Sequence, residues 1–329
     1  MRNKTAYRVL CELDEKENAL PVYFQLVIGI VGNVLAVGIL WTSRLHHQWR
    51  SFYIFFAGLV MTDLLNNCAC YPLVLRRYVS HFTWCLSEPL CDFLSFVETF
   101  CHMTSGMIVC AMTIDRYLHL TLISRQSTAA SRLKYLGVLS VLLLVSALIS
   151  SFQLVGIGNS QLYYPGSWCF LDFTSKSFGN RIAAYVYSGL GISIMTSTFI
   201  IGMMTLRITC RNAENQALLL DNSLVSGVYD KHVTAFLITS IFTFVFLWGP
   251  LLIDMFLHAA GLSKSNDKKE LWLIRLMYLN TQINPWLYVI LRKESMRRFY
   301  VMILRCTRFC RSEDDDQRYS EVTDFAGDD

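Results

Sequence analysis

Arg275 stands in an apolar stretch, nine positions before the run Asn284-Pro285-Trp286-Leu287-Tyr288. An arginine at the centre of a membrane helix costs roughly 2.5 to 3.5 kcal/mol on insertion scales, so such a side chain usually faces a cavity and holds an anion. The planar fork of its guanidinium suits a carboxylate better than the point charge of a lysine. A second segment, Tyr164-Pro165-Gly166-Ser167-Trp168-Cys169-Phe170, lies between two long apolar stretches and carries a cysteine and a tryptophan that can roof that cavity. Two acids, Asp63 and Glu98, also fall inside apolar stretches, and His102 follows Glu98 by one helical turn on the same face.

The elements that must position these residues are membrane helices. Hydrophobic residues make up 53% of the chain, charged residues 16%, and the mean hydropathy is +0.38, far from a typical soluble domain. Apolar spans near the ~20 residues needed to cross a bilayer run at about Leu20 to Trp41, Ser51 to Tyr78, Cys91 to Leu118, Leu133 to Gly156, Arg181 to Thr209, Val233 to Leu257 and Leu271 to Leu291. They predict an all-α, seven-helix transmembrane domain over residues 20–291, preceded by an extracellular segment 1–19. A short amphipathic eighth helix over 292–310 and an acidic, disordered cytoplasmic tail over 311–329 follow it.

Orientation is read from the positive charge of short loops. Arg44 and Arg50 follow the first span, Arg125, Arg132 and Lys134 the third, and Arg292, Lys293, Arg297, Arg298, Arg305, Arg308 and Arg311 the seventh. Those sides are cytoplasmic and the N-terminus is outside, with Lys264, Lys268 and Lys269 as the exception among the outer loops. The polar segment from Met1 to Ala19 does not read as a cleavable signal, so the first span serves as signal and anchor at the plasma membrane. Asn3-Lys4-Thr5 is an outward-facing glycosylation sequon. There is no legible internal repeat, phosphate-cradling glycine loop or zinc-spaced Cys/His cluster, and so no support for nucleic-acid binding, a cofactor or a metal centre.

Most of the eleven cysteines read as small buried hydrophobes, among them Cys68, Cys70, Cys101, Cys110 and Cys210 within or at the edge of helices. Cys91, at the outer start of the third span, and Cys169, in the second outer loop, occupy an oxidising compartment that permits a bridge. Such a bridge would hold Trp168 and Phe170 as a lid. Cys11 and Cys85 allow a second one. Cys306 and Cys310, after the basic amphipathic segment, are palmitoylation candidates or free thiols.

Asp115-Arg116-Tyr117 at the inner end of the third span, Leu59 to Leu64 around Asp63, Gly32-Asn33-Val34 and Asn284 to Tyr288 together resemble the rhodopsin-like G-protein-coupled receptors. That resemblance implies that Asp115 holds Arg116 at rest, and that releasing it opens an inner cleft for a heterotrimeric G protein. Asp63 should face inward, where polar groups or a sodium ion share its charge. Leu247-Trp248-Gly249-Pro250 resembles the family's sixth-helix hinge, where Pro250 removes a backbone hydrogen bond; packing alone is the other reading of Trp248.

At the ligand end, the segment from Tyr164 to Asp172, with Arg275, Pro285-Trp286 and Leu291-Arg292-Lys293, is similar to the prostanoid receptors, above all to the prostaglandin E receptors of the fourth subtype. The similarity extends from the first span to the start of the eighth helix. It implies that Arg275, Tyr78 and Ser167 hold the carboxylate of a prostaglandin or related lipid acid, with Trp168 beside them. It also implies coupling to the stimulatory G protein and a rise in cyclic AMP. Asp115 and Asn284 depart from that family towards the general rhodopsin-like pattern. Glu98 and His102 depart further: a carboxylate there pairs with His102, Arg76 or Arg77, or else repels a fatty acid and selects a cationic ligand. The short tail, with Ser312, Ser320 and Thr323, offers few phosphorylation sites for arrestin. A transporter is the competing function class, suggested only by Asp63, Glu98 and Arg275 and lacking inverted repeats. No catalytic arrangement of an enzyme is legible.

Overall fold

In the computed structural model the described residues are 18–43, 51–121, 128–219 and 224–291. Asn3, Cys11, Cys306, Cys310, the amphipathic segment and the acidic tail lie outside them, as do Arg44, Arg50 and Arg125. The described residues form seven long helices: α1 (Leu20–Ser43), α2 (Ser51–Val79), α3 (Glu88–Thr121), α4 (Thr128–Ser150), α5 (Phe178–Leu219), α6 (Leu224–Ala259) and α7 (Asp267–Leu291). Six are long and apolar enough to cross a membrane by composition alone. In α7, Arg275, Asn280, Thr281, Gln282 and Asn284 are buried instead, so its polar groups face the bundle.

Helix ends differ from the hydropathy reading where a helix outlasts the bilayer. α5 runs 42 residues and α6 36, each continuing past its apolar run. Hydropathy reports the lipid-facing length, whereas backbone hydrogen bonding continues into water. At α4 the correction is opposite: the helix stops at Ser150, tightens into a 3-10 turn over Ser151–Gln153, and Gly156 lies beyond it at φ +84°.

α4 packs chiefly on α2 and α3 and turns Leu136, Val141, Leu144 and Leu148 outward, as a lipid-facing helix must. The interior holds one apolar cluster at the hairpin end of the bundle, around Tyr71, Tyr78, Trp168, Trp248 and Tyr278. A second lies at the opposite end, around Phe52, Phe56, Phe236 and Tyr288. Lys269, an exception to the loop charge pattern, has an ion-pair partner in Asp254 of α6 at 2.7 Å.

Between α4 and α5 the chain forms an antiparallel hairpin, β1 (Ser160–Tyr163) with β2 (Trp168–Leu171), in the register Ser160 to Leu171 through Tyr163 to Trp168. Leu162 and Tyr163 of β1 and the buried Trp168-Cys169-Phe170-Leu171 of β2 supply the apolar part of the strands, and Tyr164-Pro165-Gly166-Ser167 supplies the four-residue turn. Gly166 takes φ +93°, open to glycine at little cost, and its N–H closes the turn on the Tyr163 carbonyl at 2.7 Å. The Tyr163 hydroxyl donates to the Leu171 carbonyl at 2.9 Å and accepts the Phe173 N–H at 3.2 Å. Burial, then the nearby Asp172, pushes that phenol well above the ordinary tyrosine range, so the clasp stays protonated at any physiological pH.

Candidate functional site

Three donors converge where α2, α7 and the hairpin turn meet. Arg275, 7% exposed on α7, donates through Nη2 to the Tyr78 hydroxyl of α2 at 3.1 Å. The Ser167 hydroxyl lies 3.4 Å from the same oxygen. The sequence places these groups on three separate elements, 197 and 89 residues apart from Tyr78, and the fold joins them into one cluster. A guanidinium, a phenol and an alcohol in a buried site form a receptor for a carboxylate, because hydrogen bonds to an ionised acceptor are about twice as strong as neutral ones.

The turn bearing Ser167 is tied down at two points. Cys91 on α3 bridges to Cys169 on β2, with their Cα atoms 5.3 Å apart. Arg77, fully buried on α2, donates through Nε to the Gly166 carbonyl at 2.7 Å and through Nη1 to the carbonyls of Phe82, at 3.0 Å, and Trp84. One side chain thus fastens both the hairpin turn and the α2–α3 connection. Trp168, beside Ser167, is wholly buried as the lid expectation requires. Its ring centroid lies 4.4 Å from that of Tyr278 and 5.6 Å from that of Tyr71.

Glu98 and His102 form the floor beneath this lid, both nearly inaccessible. The expected pairing of Glu98 with His102, Arg76 or Arg77 is not what the structure contains. His102 Nδ1 lies 2.8 Å from the backbone carbonyl of Glu98, not its carboxyl. Arg76 lies over the Trp84 ring, 4.3 Å from its centroid, and Arg77 is committed to the three carbonyls. The physical reason is competition: loop carbonyls claim the Arg77 guanidinium and the Trp84 ring holds that of Arg76 before either reaches Glu98.

Deeper in the bundle, Trp248 of α6 is buried against Phe244, with centroids 4.8 Å apart, and stands edge-on to Tyr187 at 6.2 Å. Gly106 of α3 makes room for this pair, since a Cβ there would sit 2.8 Å from Phe244. Pro250 lies inside α6 and Pro285 inside α7. Asp63 faces inward as expected, accepting from the Ser105 hydroxyl at 2.9 Å and from Asn284 Nδ2 at 3.4 Å. Tyr288 stacks on Phe56 at 4.0 Å, closing the inner aromatic cluster.

At the inner end the expected resting pair is replaced. Asp115 accepts from the Ser51 hydroxyl at 2.5 Å, and Arg116 donates through Nε across the bundle to the Thr234 hydroxyl of α6 at 3.3 Å. Among the described residues there is no Asp115–Arg116 ion pair. Adjacent residues on a helix point about 100° apart and do not face each other, so Arg116 turns inward, 6% exposed, while Asp115 turns to α2.

Compared with known proteins, residues 32–288 match the family described as 7 transmembrane receptor (rhodopsin family). The chain belongs to that family of receptors. Among curated proteins it is similar to prostanoid receptors. It is 24% identical over 326 residues to the human Prostaglandin E2 receptor EP4 subtype, covering 87% of this chain and 66% of that protein, so it spans just under two thirds of that relative's length. It is 27% identical over 310 residues to the human Prostaglandin E2 receptor EP3 subtype, covering 85% of this chain and 78% of that one. With the human Thromboxane A2 receptor it shares 26% over 287 residues, covering 83% and 82%. The crystal structure of squid rhodopsin superposes with a TM-score of 0.73 at 16% identity, covering 99% of this chain and 93% of that one, a likeness of fold. The family consists of multi-pass membrane receptors rather than enzymes.

Within this receptor, several site residues escaped the sequence reading. Gln282 Nε2 donates to the Tyr71 hydroxyl, which lies 3.4 Å from Gln25 Oε1, and Gln25 Nε2 reaches the Arg275 carbonyl at 3.3 Å. Helical spacing held the signal: Tyr71 lies seven positions before Tyr78, and Tyr278 and Gln282 follow Arg275 by three and seven, each on the face of its anchor residue. Arg77 left no such signal, because its partners are backbone carbonyls.

Proposed function

We propose that this receptor sits in the plasma membrane with its N-terminus outside, binds a prostanoid, prostaglandin E above all, and couples to the stimulatory G protein to raise cyclic AMP. The observation that carries the ligand reading is the Arg275–Tyr78–Ser167 cluster beneath a lid held by the Cys91–Cys169 bridge. Arg275 takes the ligand carboxylate, Tyr78 and Ser167 complete its hydrogen bonds, and Trp168 covers the chain. The prostaglandin E relatives support the choice of ligand. Ligand burial biases the bundle towards an inner-open state, by at most its differential affinity for the two states. Trp248, Pro250, Asp63, Asn284, Pro285 and Tyr288 line the route from ligand to inner face.

A panel of prostanoids and other lipid acids, read by cyclic-AMP and calcium responses in cells expressing the chain, tests ligand and pathway together. Prostaglandin E acting through cyclic AMP, with the response lost in Arg275→Ala, supports the reading. A fall in cyclic AMP, or calcium alone, overturns the G-protein assignment. A cationic ligand that needs Glu98 but not Arg275 would establish the second reading, which the lack of a cationic protein partner at Glu98 keeps open.

A further inference from the structure

The packed interior beneath the hairpin carries buried polar groups at two levels. Its outer end presents donors, Arg275, Tyr78 and Ser167. Its floor presents two acceptors, Glu98 Oε2 and Gln282 Oε1, that are buried and find no hydrogen-bond partner among the described residues, with the Tyr278 hydroxyl and Trp168 Nε1 likewise unpartnered beside them. The His102 ring is held between two backbone carbonyls, with Nδ1 2.8 Å from that of Glu98 and a further hydrogen bond to that of Met277. The Cys70 thiol, a weak donor, is hydrogen-bonded to the Glu98 carboxyl.

These atoms belong to one place. The Tyr278 ring lies 5.4 Å from His102 and 5.3 Å from Tyr71, and Tyr71 holds Gln282. Tyr278 also touches Trp168, the neighbour of Ser167, at 4.4 Å. The floor is therefore joined to the anion anchor through the rings of Tyr278 and Trp168. Buried acceptors left without donors are rare in folded proteins, and such atoms side by side mark a place for a group that arrives from outside.

We propose that the acid held by Arg275 carries, on its apolar portion, a hydrogen-bond donor that Glu98 receives, with His102 and Gln282 beside it. The donor is a hydroxyl or an ammonium group. This inference rests on the carboxylate-anchor reading and narrows it: a plain fatty acid satisfies the outer end and leaves the floor unmatched, so it binds worse than a hydroxylated or amino acid of the same length. Glu98 becomes the residue that discriminates among lipid acids.

The test is competition binding with radiolabelled prostaglandin E2 on membranes from cells expressing the full chain. The competitors are prostaglandin E2 and analogues in which a single hydroxyl is replaced by hydrogen or by an amine. On the wild-type receptor at least one deoxy analogue is expected to bind about tenfold weaker or worse, the scale for leaving a buried hydrogen-bonding group without its partner. In Glu98→Ala that gap should close to about twofold, and in the isosteric Glu98→Gln, which guards against misfolding, it should narrow. An amine analogue that gains on the wild type and loses its gain in Glu98→Gln identifies the donor as ammonium; a hydroxyl preference identifies a neutral donor. A gap that persists unchanged in both variants, or no gap in the wild type, overturns the proposal and leaves the anchor standing. Arg275→Ala should weaken every competitor alike, and its failure to do so would overturn the anchor reading instead.

Discussion

At the scale of single residues, the cluster of Arg275, Tyr78 and Ser167 sets a graded expectation. Arg275→Ala leaves a bound carboxylate buried without its charge partner and should cost about 2 to 5 kcal/mol of binding. Tyr78→Phe and Ser167→Ala each remove one hydrogen bond to a charged group, about 1.5 to 3 kcal/mol. Ser167 should lose less than Arg275 because its hydroxyl stands 3.4 Å from Tyr78 and acts at the edge of the cluster. Saturation binding of the three variants, with surface expression measured alongside, checks the order. Equal losses at all three would point to misfolding, not to a shared anion. These residues were legible because their types are specific: an intramembrane arginine asks for an anion in a way that a leucine asks for nothing. Glu98 shows the limit of the same logic. Its need for a partner could be read from the sequence, but the claim of the loop carbonyls on Arg77 could not, since backbone groups carry no mark in a sequence.

At the scale of elements, the hairpin is the part the sequence left as a loop. Its strands are only four residues long, too short for period-two patterning to separate them from irregular chain. Two ties fix it, and they should fail differently. Removing the bridge with Cys91→Ala should depress surface expression and binding together, because loss of a native disulfide costs about 2 to 5 kcal/mol. Non-reducing peptide mapping of the wild type should recover Cys91 joined to Cys169. Arg77→Met, by contrast, frees the turn while the bridge still holds β2, so affinity should fall with the folded, surface-exposed fraction largely kept. If Arg77 acts by presenting Ser167, the double variant with Ser167→Ala should be little worse than Arg77→Met alone. Arg77→Lys should not rescue it, because a point charge cannot serve three carbonyls held by a planar fork. Fully additive losses would mean that Arg77 supports the fold and not the site. The helices themselves were legible in number and order, since a bilayer demands long apolar runs, and illegible at their ends wherever the chain leaves the lipid.

At the scale of the whole molecule, signalling requires ligand at one end to change contacts at the other, and the contact to change is between Arg116 and Thr234. It joins α3 to α6 across 118 residues of sequence, and parting it lets the inner end of α6 swing outward. Sequence reading placed the resting lock between neighbours Asp115 and Arg116, where helix geometry keeps the side chains apart; a partner on another helix is fixed by packing, which no local pattern encodes. The cross-bundle contact sets which variant should signal without ligand. Thr234→Val keeps the shape and removes the acceptor, a loss of about 1.5 kcal/mol at the low end for a charged donor. Moving a two-state bundle from 1:99 to 99:1 needs about 5.5 kcal/mol. The variant should therefore raise a resting active fraction near 1% by about tenfold, well short of full activation. Asp115→Asn should do less, because Asp115 is hydrogen-bonded to the Ser51 hydroxyl, which an amide oxygen can also accept from. Basal cyclic AMP at matched surface expression separates the two. Higher basal signalling from Asp115→Asn than from Thr234→Val would restore the neighbouring pair as the lock and remove the cross-bundle contact from the mechanism.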